Sequence, residues 1–362
     1  MLKHYIKIAG RNLWRNKGFS AITIFGLAIG LATCLLITLF IVDELSYDKY
    51  NVNADQIYRV DAHIRVNGSS FNSRVTPASL GPALLRDYPA IENMVRIRGG
   101  GGKVLVTKGN QTLMEPDCFW ADSTLFDVFT LPMISGNPKT ALTQPHSIVL
   151  SRQMALKYFN STDVVGKTLL LDNTTTVKIT GVIEDMPAES HLHFHFIRSM
   201  SGLAESRSDF WLNNNFGTYV LARPGTDEKT IDHYLQQAAL KYAQPQLENL
   251  THNSFHDLAK DGGYFEYKTI PLTKIHLYST ITTELEPSGN IQYVYIFIVI
   301  AIIVLLIACV NFTNLSTARS AGRSREVGIR KVMGSQRSSL VSQFLTESIL
   351  TSFLAMGLAV LI

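Results

Sequence analysis

Charge is scarce in this sequence. Only 17% of its 362 residues are Asp, Glu, Lys or Arg, and the mean hydropathy is positive at +0.11. That pairing excludes an ordinary, highly charged soluble chain and makes membrane insertion the first class to test. Cysteine is rare as well. Cys34 and Cys309 lie in apolar runs and Cys118 stands alone between them. No internal disulfide or zinc framework follows, so the central segment must hold together by its core. The chain also lacks a G-x-x-x-x-G-K-[ST] motif. "RGGGGKV" at Arg98–Val104 has the glycines but neither the spacing nor a helix pattern after it, so it reads as a turn. ATP hydrolysis by that route is excluded. Low-complexity linkers, internal repeats and Ser/His/Asp or Cys/His constellations are missing too. No catalytic, cofactor-binding or metal-ligating residue is nominated, and nucleic acid is not an expected partner.

Two stretches contain no charge at all, Phe19 to Val42 and Ile291 to Val310, and each is long enough for a bilayer. A third, Ile349 to Ile362, is apolar but short, and reads as a span cut short by the end of the sequence. The cations are distributed unevenly. Lys3, Lys7, Arg11, Arg15 and Lys17 precede any acid, whereas residues 43–317 hold 22 basic against 27 acidic side chains. Beyond them, Arg319, Arg323, Arg325, Arg330, Lys331 and Arg337 face only Glu326 and Glu347. Cationic flanks stay on the cytoplasmic side, which places the N-terminus and the 316–348 segment inside and the large middle segment outside. A cleaved signal peptide is the competing account of the first run. That run is far longer than a signal h-region and has no small-residue cleavage site.

The expected organisation is therefore a cytoplasmic amphipathic helix over 1–18, a span over 19–42, an extracytoplasmic domain over 43–290, a span over 291–315, a cytoplasmic loop over 316–348 and the start of a third span over 349–362. Leu2, Tyr5, Ile6, Ala9 and Leu13 recur at helical intervals in the first element, as in a helix lying on a membrane surface. Within 43–290, strand patterns such as "QIYRVDAHIRV", "SIVL", "TVKITGVIED" and "FGTYVLA" interleave with helix patterns, "PASLGPALLRDY", "SRQMALKYF" and "EKTIDHYLQQAALKYAQPQLENL". The fold class is a membrane protein whose α-helical spans flank a large extracytoplasmic α+β domain.

"SHLHFHFIRSM" sets His191, His193 and His195 at strand spacing, on one side of the chain. That spacing suits zinc or copper, and equally the polar face of a strand whose reverse is Leu192, Phe194 and Phe196. In the 316–348 segment Val327, Ile329, Val332 and Met333, then Leu340, Val341, Phe344 and Leu345, recur at helical spacing, which predicts an apolar stripe. A break at Gly334 and Ser335 divides it into two helices, with Ser at the second N-cap. A lipid-binding basic patch would explain the cations. The apolar set suggests a docking face as well.

"SREVGIRKVMGSQRSSLVSQFLTESIL" resembles the cytoplasmic loop of FtsX/MacB-type ABC transporter permeases, R-E-I-G-[IL]-R-[KR]-x-x-G-[AS]. Arg325, Glu326, Val327, Gly328, Ile329, Arg330, Lys331 and Gly334 fall on that pattern, with Val332 between. "IAGRNLWRNKGFSAITIFGLAIGLA" resembles the family's first helix and span. "DELSYDKYNVNADQIYRV", "ADSTLFDVFTLPMISGNPKTAL" and "TGVIEDMPAESHLHFHF" resemble its MacB-like periplasmic core. The resemblance implies a non-catalytic permease subunit of a bacterial inner membrane. Its partner would be a separate cytoplasmic ABC ATPase, in a homo- or heterodimer of permease modules, with a periplasmic adaptor or substrate protein in some members. Work would pass by mechanotransmission, with Arg325 to Val332 and Gly334 as the ATPase-coupling residues. Cargoes of the family include drugs, peptides and lipoproteins, and some members regulate cell-envelope enzymes. Its members carry four spans or twice that number, more than appear here. Two other classes share part of this pattern: a two-span sensor with an external ligand domain, and a membrane-anchored metalloenzyme resting on the His segment.

Overall fold

The computed structural model describes residues 2–362 except Asn67, Gly100, Asp117, Asp261, Arg323 and Ser335; the side chains of 2–6, 319–322, 324–326, 330 and 339 also lie outside the description. The chain divides into two compact units, one formed by residues 1–45 and 290–362 and the other by Ser46–Gly289.

The first unit is helical. Helix α1 (Leu2–Arg15) meets α2 (Lys17–Glu44) at Asn16, whose φ of −116° and ψ of 54° leave the helical region. Ala9 and Leu13 of α1 are buried, while Lys7, Arg11, Trp14 and Arg15 are exposed, as an amphipathic helix requires. Leu2, Tyr5 and Ile6 of the expected apolar stripe have side chains outside the described residues. Two further long helices follow the domain in the sequence, and they are labelled below after the elements that precede them.

The second unit is built on one 13-stranded mixed sheet. Its strands are β1 (Ile57–Val66), β2 (Ser69–Ser73), β3 (Ile91–Arg98), β4 (Val104–Lys108), β5 (Gln111–Glu115), β6 (Cys118–Ala121), β7 (Met133–Gly136), β8 (Ser147–Ser151), β9 (Thr168–Leu171), β10 (Thr175–Ile183), β11 (Phe196–Ser199), β12 (Gly217–Ala222) and β13 (Tyr264–Pro271). The order is β13-β1-β12-β3-β6-β11-β8-β10-β9-β4-β5, with β2 on β1 and β7 on β10. β8 pairs β10 and β6 pairs β11 in parallel; the other pairings are antiparallel. Helices interrupt the strands: α3 (Leu80–Asp87), α4 (Leu125–Val128), α5 (Arg152–Phe159), α6 (Glu228–Ala238), α7 (Gln244–Thr251), α8 (Phe255–Lys260) and α9 (Ile275–Tyr278).

Side chains alternate across the central strands. Tyr58, Val60 and Ala62 of β1 and Val220 of β12 join Leu80, Leu84, Ile231 and Leu235 of α3 and α6 in one core. On the opposite face Ile57, Val95, Tyr219 and Leu221 join Phe129, Phe194 and Leu272 in another. The long helix expected over 228–250 is instead α6, a π-helical stretch Ala239–Ala243 and α7, because Pro245 has no N–H for a continuous α-helical ladder. The His segment is not a strand. Residues 191–195 are irregular, and β11 starts only at Phe196.

In the helical unit, α10 (Ile291–Gly322), α11 (Ser324–Val332) and α12 (Arg337–Leu361) complete the order. α10 continues well past residue 315, into the segment read as a loop. α12 starts before the expected third span, and its part Leu340–Leu361 is 22 residues with a mean hydropathy of 1.8, long and apolar enough to cross a membrane. Glu347 interrupts its apolar run, which is why the uncharged part begins only at Ser348. Among the described residues three helices have that length and composition. α2 and α10 approach closely through small residues: a Cβ on Gly30 would stand 2.5 Å from the Cβ of Ala308.

Candidate functional site

The predicted coupling residues lie on α11 and the turn after it. Arg325, Glu326 and Arg330 have side chains outside the described residues, as does all of Ser335. Gly334 takes a φ of +88°, a left-handed conformation that suits a residue without Cβ, and ends the helical path. Helix α12 then starts from Gln336 as its N-cap, so the expected Ser cap lies outside the described residues. The apolar set does not form one stripe. At roughly 100° per residue, Ile329, Val332 and Met333 share an arc, and Val327 lies on the far side of the helix. Exposure follows that division: Ile329 is 58% exposed, Val332 90% and Met333 81%, while Val327 is half-buried. Lys331 is exposed beside them and Gly328 meets no atom within 4 Å of a built Cβ. Such a cluster of exposed large apolar side chains with a cation at its edge is suited to a partner's groove.

The domain holds a second constellation that the sequence reading did not nominate. Arg59 and Asp61 of β1 are two residues apart and therefore share a face, with Ile57, inside the core. Arg59 is 1% exposed and bonds Asp61 through Nε at 2.7 Å. It also bonds Glu284 through Nη1 at 2.6 Å and Nη2 at 2.7 Å. Ser279 Oγ donates to the same Glu284 carboxylate. Burial would lower the Arg59 pKa, but the two carboxylates outweigh it and hold the guanidinium charged. Burial pushes Asp61 up, and Arg59 does not fully offset it. Glu284 is also pushed up by burial, yet the Arg59 bonds and charge prevail and leave it below the ordinary glutamate value.

Tyr219 of β12 is the cross-strand neighbour of Arg59. Its hydroxyl stands 2.9 Å from His191 Nε2, and His191 Nδ1 stands 2.7 Å from Asp48 Oδ1. Asp48 is fully buried with a φ of +61°, and its Oδ2 has no hydrogen-bond partner. Burial, first of all, pushes the Tyr219 phenol far above its usual range. Both ring nitrogens of His191 are thus engaged. His193 turns instead to Glu286 and the Pro187 carbonyl, so the three histidines do not converge.

These contacts have a common address in the chain. Residues 46–56 follow α2 and residues 279–289 precede α10. Tyr47 stacks on His276 with ring centroids 3.4 Å apart, Asp48 binds His191, and Glu284 binds Arg59. Both connecting segments are therefore fastened to the same face of the sheet. Sequence signals existed: opposite charges at i and i+2 inside an apolar strand pattern, and an acid next to a basic core residue. Neither names its partner. In the helical unit, Glu347 is buried and lines a cavity of about 70 Å³ with Ser20, Thr23, Ser316 and Thr351. An ionisable side chain within a span-length helix was a further signal left unread.

Comparison with known proteins agrees with this architecture. The MacB-like periplasmic core domain model matches residues 20–238, and the FtsX-like permease C-terminal model matches residues 298–362. The pyoverdine export ATP-binding/permease protein PvdT of Pseudomonas syringae is 24% identical over 364 residues, covering 98% of this chain and 50% of that protein. The uncharacterized ABC transporter permease YvrN of Bacillus subtilis is 22% identical over 373 residues, covering 100% of this chain and 86% of its own length. A crystallised domain assigned to a permease protein of Porphyromonas gingivalis superposes with a TM-score of 0.52 at 20% identity, over 68% of this chain and 98% of that domain, and shares its fold. The chain spans about half the length of PvdT. With a periplasmic-core model over more than half of its residues and a permease model over its C-terminal helices, the chain belongs to the MacB/FtsX-type ABC transporter permeases.

Proposed function

We propose that this chain is a mechanotransmitting permease subunit, driven by a separate cytoplasmic ABC ATPase. The observation that carries the reading is the exposed apolar arc of Ile329, Val332 and Met333 on α11, a short helix in the chain between two span-length helices. On this reading the ATPase seats that arc in a groove, with Lys331, Arg325, Glu326 and Arg330 meeting its rim. Dimerisation of the ATPase pushes α11, and α10 carries the displacement to residues 279–289. There the Glu284–Arg59 and Tyr47–His276 contacts tie both connecting segments to one sheet face. Two permease modules would flank one ATPase dimer. The chain is multi-pass in a bacterial inner membrane, with residues 1–18 and 323–336 cytoplasmic and 46–289 periplasmic, as the charge distribution supports. The chain itself supplies no catalytic group for ATP hydrolysis.

Co-purification tests the coupling. Ile329→Asp or Val332→Asp would bury an unpaired charge in the groove, and ATPase association should fall by orders of magnitude with membrane insertion unchanged. Retained association would refute the docking. Val327→Asp, on the far side of α11, should weaken it less. Orientation is tested independently in a chain with its native cysteines replaced. A membrane-impermeant maleimide added from the periplasm should label a cysteine at Asn110 and spare one at Gln336, and the reverse pattern would overturn the topology.

A further inference from the structure

We infer that the domain of residues 46–289 carries a binding pocket for a small organic anion with a flat apolar body, between α3 and the loop 204–211. The cavity measures about 460 Å³, within the roughly 300–1,000 Å³ that small-molecule sites occupy. One wall is the α3 face of Ser79, Pro82, Ala83 and Arg86, which recur at helical spacing. The opposite wall is Trp211, stacked on Tyr242 with ring centroids 5.0 Å apart at 15°.

The site is built before any ligand arrives. Arg96 at its floor is only 8% exposed, and its Nη1 donates to the carbonyls of Ala78 and Ser206, both at 2.7 Å. Its Nε and Nη2 bind Asp122, each at 2.9 Å. This one side chain fixes the start of α3 against the loop. Gln246 fixes the other end, accepting from the Trp211 N–H at 2.8 Å and donating to the Asp209 carbonyl at 2.9 Å. Such preorganisation reduces what a ligand must spend on ordering the site. Ser79 sits at the α3 N-cap position without capping it, and its Oγ has no hydrogen-bond partner.

Charge selects the ligand class. Arg86 and Lys241 share one carboxylate, Asp87, at 2.8 and 3.0 Å, so the trio keeps one positive charge. Arg96 and Asp122 cancel. Arg207 at the mouth donates to the Ser201 carbonyl and Asp209 balances its charge, leaving the border with a net charge of +1. Arg86 and Arg207, both exposed and both lining the cavity, are the cations that a carboxylate or phosphate would meet. Arg86 also lies over the Tyr242 ring, so the stacked rings meet a flat apolar group by their edges.

Equilibrium dialysis of the full chain in nanodiscs tests this, with 2-naphthoate as the probe and 2-naphthalenemethanol as its uncharged analogue. Naphthoate should bind above the protein-free nanodisc background and at least tenfold more tightly than the alcohol. The double variant Arg86→Gln/Arg207→Gln, whose residues are exposed and outside the core, should lose at least tenfold in affinity with an unchanged thermal melt. Binding no greater than to empty nanodiscs, equal affinity for acid and alcohol, or unchanged affinity in the double variant would each overturn the assignment.

Discussion

Arg59 Nη1 stands 2.6 Å from Glu284 Oε2, across 225 residues of sequence. Arg59 follows the first span-length helix in the sequence and Glu284 precedes the second, so this buried ion pair joins the early and late segments of the domain of residues 46–289. Removing one partner of such a pair exposes the other to the full cost of burial. Arg59→Met would leave Asp61 and Glu284 facing each other in the core, and should destabilise the chain by about 3–5 kcal/mol. Denaturant unfolding of the detergent-solubilised chain measures this, and a loss under 1 kcal/mol would contradict the geometry.

The same pair sets an acid limit. Glu284 has a folded pKa below its ordinary value of 4.5. Its contribution is therefore complete above pH 4.5 and is lost as pH falls through the lowered folded value. Asp61, which burial raises, works in the opposite direction, so the total acid response does not isolate Glu284. The stability difference between the native chain and Glu284→Gln does. That difference should be constant from pH 7 to 5 and shrink below 4.5; a difference that grows in acid would refute the sign.

His191 joins two elements far apart in the sequence through its two nitrogens. His191→Leu would strand the Tyr219 hydroxyl and leave Asp48 Oδ1 with only the backbone N–H of residue 191, at a cost of about 3 kcal/mol. His193→Leu, at a half-exposed position, should cost less than about 1 kcal/mol. Parallel thermal melts of the two variants compare them, and equal losses would show that the relay carries no special weight.

Gly30 lets α2 meet Ala308 of α10. Gly30→Leu cannot be accommodated without separating the helices, whereas a Cβ added at Gly357 on α12 meets nothing within 4 Å, so Gly357→Leu grows into open space. Overpacking of this kind costs about 1–3 kcal/mol. The first variant should lower the detergent-resistant melting temperature by several degrees and the second should leave it unchanged.

The sequence by itself determined the class of this protein. The uncharged runs around Leu31 and Val304, the excess of cations over acids outside 43–317 and the alternation in "QIYRVDAHIRV" and "FGTYVLA" are local properties. Hydropathy, charge bias and side-chain period are written in consecutive residues. The helix Ser324–Val332 and the positive-φ glycine that ends it, Gly334, are local features too. Tertiary structure decided the rest. Helical rotation alone separates Val327 from Ile329 and Val332, but only packing shows that Val327 is half-buried and the other two exposed. The strand spacing of His191, His193 and His195 gave way once Asp48 and Tyr219 claimed the first of them, since two buried hydrogen bonds outweigh a weak local preference. The pairing of Arg59 with Glu284, and the wall that Trp211 and Tyr242 build opposite α3, depend on which distant segments the sheet order brings together. No local pattern encodes that choice, because a buried charge records only that it needs a partner and not where in the chain the partner lies.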